Sequence, residues 1–148
     1  MRRVDTDPGR YIESLSDEAR PDIQKLDKEI SKIFKGEPRV LWSGTFWGGS
    51  EQNIIGYGDL VQERKGKKVE WFKVGLALQK SYISLYVNAV EDNKYLSQKY
   101  ADQLGKVKVG ASSIGFKRLG DVDMPKLFEM LKRARTISGR KPDERRFI

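Results

Sequence analysis

Four cations and no acid fall between Gly105 and Gly120: Lys106, Lys108, Lys117 and Arg118. Lys106 and Lys108 are two residues apart, which on a strand puts both ammonium groups on one face. Backbone amides around Gly110, Ala111 and Ser112 would add the donors with which turns hold anions. The chemistry on offer is anion capture. The same residues also suit a solvated strand edge kept basic against edge-to-edge association.

A second set lies on alternate positions of a hairpin, where Trp71, Lys73 and Gln79 accompany Tyr82, Ser84 and Tyr86. A sheet face bearing rings and a cation can stack planar groups, each stacked base adding about 1–3 kcal/mol. The alternative is that a further layer or a partner covers these rings. A third set is the loop Trp42, Ser43, Gly44, Thr45, Phe46, Trp47, Gly48, Gly49 and Ser50, followed by Tyr57. Glycine lets a backbone approach a ligand closely, and tryptophan offers a flat apolar wall with one donor. The stretch GGSEQNIIG lacks the Lys-Ser/Thr ending of a phosphate P-loop. Aromatic plugs at one end of a core would show the same composition.

The chain has no histidine and no cysteine. Disulfides, zinc-thiolate sites, cysteine nucleophiles and imidazole-based triads are therefore excluded. Catalysis would rest on carboxylates, lysine or tyrosine, and Lys80 beside Tyr82 and Ser84 is the lysine best placed for it. A hard metal ion would need oxygen ligands. Asp17, Glu18, Asp22, Asp27 and Glu29 offer them, with Glu18 and Asp22 at a four-residue spacing, but Arg20, Lys25, Lys28 and Lys32 are interleaved. That pattern reads as an ion-paired helix face.

Positioning these groups requires the following elements. Asp7, Pro8 and Gly9 open a short helix carrying Tyr11, Ile12 and Leu15. Ala19, Ile23, Leu26, Ile30 and Ile33 predict a helix over 17–34, capped by Ser16 and stopped by Gly36 and Pro38. Val40 and Trp42, then Ile54, Ile55 and Tyr57, mark strands. Residues 60–64 and 69–80 flank a hairpin turn at 65–68. Phe72, Val74, Leu76 and Leu78 are expected on one core face, joined by Ile83, Leu85 and Val87. Asp92 is expected to cap a helix reaching Leu104, followed by strands at 106–109 and 113–116. Asp123 and Pro125 open a last helix with Leu127, Met130, Leu131, Ala134 and Ile137 inward. This order predicts an α+β fold: a mostly antiparallel sheet of about five strands against N- and C-terminal helices, with one further helix inserted before the last strands.

At 148 residues with 38% hydrophobic and 34% charged content, the chain suits one domain over 8–138 with a charged tail over 139–148. No apolar run reaches the roughly 20 residues of a membrane span. The first ten residues lack the apolar stretch of a secretory signal, so a cytoplasmic location is expected. The formal charge of +8 favours encounter with nucleic acid, anionic metabolites or acidic surfaces.

The segments PGRYIESLSDEARPDIQKL, WSGTFWGG with the later GYG, WFKVGLALQKSYISLYV and GKVKVGASSIGFKRLGDVDM, in this order over nearly the whole chain, resemble the YdhG-like family, domain of unknown function 1801. That family has no agreed activity. Some relatives are described as frataxin-like intracellular iron chaperones with two helices against an antiparallel sheet, so the resemblance implies this fold and iron as a candidate cargo.

The resulting expectation is a non-enzymatic binding domain for an anionic or aromatic small ligand or a macromolecular partner. Trp47 and Tyr57 would serve as walls, Tyr82 and Tyr86 as stacking or hydroxyl contacts, and Lys106, Lys108 and Lys117 as anion contacts. The alternatives are an iron chaperone, with Glu18 and Asp22 as its metal candidates, and a nucleic-acid-binding module. Oligomeric state is left open.

Overall fold

Pro21 decides where the first long helix begins. A helix spanning Asp17 would need the amide that proline lacks and would press the ring against the Asp17 carbonyl. In the computed structural model, which describes residues 1–45 and 51–137 except the side chains of 62–64, α1 (Pro8–Glu13) is followed by α2 (Arg20–Ile33), with Ala19 at its N-cap. The expected start at residue 17 and the Ser16 cap are corrected accordingly. Ile23, Leu26 and Ile30 of α2 are buried, as the three-and-four spacing predicts.

The strands are β1 (Arg2–Val4), β2 (Arg39–Thr45), β3 (Glu51–Arg64), β4 (Lys67–Leu78), β5 (Ile83–Val87), β6 (Val90–Glu91), β7 (Lys94–Tyr95), β8 (Lys108–Val109) and β9 (Ser113–Phe116). Two further helices are α3 (Leu96–Lys99) and α4 (Met124–Thr136). Seven strands form one sheet in the order β1-β2-β3-β4-β5-β9-β8, every neighbouring pair antiparallel, while β6 and β7 make a separate hairpin. The fold is α+β. The sheet exceeds the expected five strands; the three-residue β1 at one edge carries too few positions to show a period, whereas β8 at the other edge falls within the strand expected at 106–109.

Two other expectations are corrected. Asp92 caps no helix: Asp92 and Asn93 have φ of 53° and 62° and form the turn between β6 and β7, where residues that tolerate the left-handed region are favoured. The helix there shrinks to α3 and a 3-10 turn at Ala101–Gln103. The strand expected from Lys106 begins only at Lys108, because the Lys106 amide bonds the Asp121 carbonyl at 2.7 Å.

The core lies between the helices and one sheet face, where Ile55, Val74, Leu76, Ile83, Leu85, Val87 and Ile114 meet Ile23, Leu26, Ile30, Leu127 and Met130. Phe72 is fully buried on the opposite face with Trp42, Ile54 and Ala77, contrary to the expected stripe. The phase changes at Gly58, whose φ is +77° and whose amide bonds the Pro38 carbonyl at 2.8 Å. The β3–β4 ladder passes from Tyr57↔Val74 to Asp59↔Phe72 without pairing Gly58 and Lys73. The Lys73 carbonyl instead accepts from the Asn88 amide at 2.9 Å. Both strands turn over at one level, so register is kept while Phe72 changes sides.

Polar ties join the helices to this sheet. Arg39 forms two bonds to the Asp27 carboxylate, at 2.9 and 2.6 Å, and the Tyr57 hydroxyl donates to the same carboxylate at 2.7 Å. Glu37 takes Lys73 at 2.7 Å and Arg135 at 2.8 Å. Arg135 also donates to the Ile33 and Lys35 carbonyls at the end of α2, where cations suit the helix dipole. Among the described residues, no helix is long and apolar enough to cross a membrane.

Candidate functional site

Pairing of β5 with β9, and of β9 with β8, brings two separate stretches of chain onto the sheet face away from the helices. Ser84 stands opposite Gly115, and Gly115 opposite Lys108. The Tyr82 ring rests over Gly115: a Cβ there would lie 3.2 Å from its Cδ2 atom. Glycine lets the ring lie there undisplaced; a side chain would push it aside by a few tenths of an ångström. A groove of about 710 Å³ results, its lining including Tyr82, Ser84, Lys106, Lys108, Ser113 and Lys117. This volume falls within the roughly 300–1,000 Å³ usual for small-molecule sites.

The charge of the groove is one-sided. Lys106, Lys108 and Lys117 are exposed, and Asp121 is the one acid in the lining. Among the described residues none of the three lysines has an ion-pair partner within 4.0 Å, in contrast to Lys73 and Lys99, which are engaged. Tyr82 is 44% exposed and shows a large aromatic surface beside these cations. Ser81, Ser84 and Ser113 add hydroxyls. These groups supply charge, donors and a stacking surface, which is the equipment for holding an anion attached to a planar group.

The other sequence candidates lie elsewhere. Tyr57 is fully buried and committed to Asp27, so it forms part of the α2–β2–β3 junction and no accessible wall. Burial first, then the Asp27 carboxylate, push its hydroxyl well above the ordinary tyrosine range. Tyr86 is half-buried at the flank of the aromatic cluster, its ring 6.5 Å from Phe72 and its hydroxyl accepting from Gln79 at 3.2 Å. Burial and the nearby Tyr82 raise its pKa. Lys73 crosses to the helix side to meet Glu37, which removes it from the expected aromatic face. Trp71 stacks on Phe72 at 4.3 Å. Trp47 and the loop over 46–50, with the tail over 139–148, lie outside the described residues. Arg118 is exposed, with its guanidinium 3.9 Å from Asp121. The Gly110 amide, expected to face an anion, bonds the Ser113 carbonyl at 2.8 Å.

The metal candidates do not converge. Glu18 precedes α2, and an Asp22 oxygen accepts from the Leu119 amide at 3.4 Å. Asp17, Asp27 and Glu29 are each paired with a cation. Among the described residues no group of three or more metal-ligating side chains forms.

Sequence reasoning missed Gly115, Ser113 and Asp121 as parts of the site. Their one signal was proximity in sequence to Lys108 and Lys117; their relation to Tyr82 depends on strand pairing. Comparisons of the chain with protein-family models, curated proteins and solved structures give no match.

Proposed function

We propose that this chain is a binding domain for a small anionic ligand that carries a planar ring, of the kind a mononucleotide represents, held in the groove beside β5, β9 and β8. The observation that supports this most is the convergence of Lys106, Lys108 and Lys117 with the exposed Tyr82 ring on one concave surface. Ammonium groups attract phosphate or carboxylate as point charges. Stacking on Tyr82 then favours an aromatic ligand over a bare anion. The iron-carrier reading suggested by family resemblance lacks such support, because the carboxylates it would use are dispersed and mostly paired.

Calorimetric titration of the full chain with adenosine monophosphate, adenosine and inorganic phosphate tests the reading. The monophosphate should bind most tightly. Tyr82→Ala should weaken it about 5- to 150-fold, the equivalent of roughly 1–3 kcal/mol of stacking, and leave phosphate unchanged. Lys108→Gln should weaken both. Absence of saturable binding, or binding indifferent to joint replacement of Lys106, Lys108 and Lys117 by Gln, refutes it.

A further inference from the structure

Beyond Asp59 and Phe72, β3 and β4 continue as a two-stranded ribbon. Pairing of β2 to β3 ends at Arg39↔Tyr57, and pairing of β5 to β4 ends at Val74↔Val87. Among the described residues, the remaining pairs, Leu60↔Trp71 to Arg64↔Lys67, have no third strand beside them. Leu60 is still buried and Trp71 packs on Phe72, so the four pairs from Val61↔Glu70 to Arg64↔Lys67 make an arm of roughly 14 Å at about 3.4 Å per residue. The arm ends in a turn with Lys65 and Gly66 at φ of 51° and 76°.

The acids at its root are held by Arg3, which lies 2.7 Å from Asp59 and 3.9 Å from Glu70. At its tip Lys65, Lys67 and Lys68 are exposed and have no ion-pair partner among the described residues. Val61, nearer the root, is 60% exposed. A narrow projecting ribbon with a cationic tip matches the major groove of B-form DNA, which is about 12 Å wide and admits a two-stranded β-ribbon.

We propose that this arm is a docking element for double-stranded DNA, entering the major groove with Lys65, Lys67 and Lys68 against flanking phosphates. Contact with phosphates gives affinity without sequence preference. The element is independent of the groove reading, because β4 separates the arm tip from the groove end by roughly 37 Å of strand.

Fluorescence anisotropy of the full chain with a labelled mixed-sequence DNA duplex of about 20 base pairs, from about 50 to 200 mM salt, tests the assignment. Joint replacement of Lys65, Lys67 and Lys68 by Gln should lower affinity more than tenfold at low salt. It should also make the slope of log K against log salt less negative by about 2.7, or about 0.9 per lost contact. These side chains are exposed, so the variant's thermal melt should match the parent's. Replacing Lys106 and Lys108 by Gln should leave duplex affinity unchanged. An A-form RNA duplex should bind less well, since its major groove excludes side chains. Failure of the parent to bind DNA, an unchanged salt slope in the arm variant, equal affinity for the RNA duplex, or binding to phosphatidylserine vesicles in place of DNA overturns the proposal. If the parent binds neither duplex nor vesicles, the arm lysines serve only to block strand addition at the ribbon edges.

Discussion

Replacing Tyr57 by Phe removes one oxygen from the junction of α2, β2 and β3 and keeps the ring that fills the core. The lost bond is a 2.7 Å donation to the Asp27 carboxylate, a class worth about 1.5–3 kcal/mol. Arg39 still holds both carboxylate oxygens, so Asp27 is not stranded and the cost should be near the lower value, about 1.5 kcal/mol. The pH dependence gives a second readout. Because the folded hydroxyl titrates well above its ordinary value, its contribution is complete below the unfolded pKa of about 10 and is lost as pH rises beyond it. One such group costs up to about 1.4 kcal/mol per pH unit. Parent and Y57F stabilities should therefore differ by about 1.5 kcal/mol at pH 7 and nearly converge by about pH 11. Urea unfolding at the two pH values measures this. A difference that does not change with pH, or no difference at pH 7, would refute the reasoning. A role for Tyr57 as a ligand wall would instead appear as altered nucleotide affinity at unchanged stability.

Glu37→Gln should lower stability by about 2 kcal/mol in chemical denaturation, because Lys73 and Arg135, both only partly exposed, lose their shared counter-charge. Replacement of Lys73 as well should recover part of that loss. Gly58→Ala should cost at least about 1 kcal/mol, since φ is +77° and the new Cβ would lie 2.9 Å from Lys73 Cδ; an unchanged thermal midpoint would contradict the phase-change account of β3 and β4. Glu91, held below the usual carboxylate range by Arg133 and then Lys99, adds stability above the unfolded carboxylate range that disappears as pH falls. Glu91→Gln should flatten the acid limb of the stability curve, an effect that salt suppresses.

Much of the fold was legible because it depends on neighbours in sequence. The spacing of Ile23, Leu26 and Ile30 placed a buried helix stripe, alternation through Ile83, Leu85 and Val87 placed β5, and the strand at 113–116 was located to the residue. The start of α2 was legible in principle from Pro21, whose effect is also local. Phe72 was not: its side is decided by Gly58 on another strand, whose left-handed backbone turns both strands over at once.

The same division runs through the site. Sequence alone determined its chemical vocabulary: no imidazole or thiol, an acid-free cluster of Lys106, Lys108, Lys117 and Arg118, and tyrosines on alternating positions of β5 and the turn before it. Only the tertiary structure decided that Tyr82 joins Lys106, Lys108 and Lys117 in one groove, that Tyr57 is sealed against Asp27, and that Lys73 leaves the aromatic face for Glu37. The reason is that side-chain periodicity is a property of one strand, whereas a concave site is made by register between strands that lie some thirty residues apart in the chain, Ser84 against Gly115.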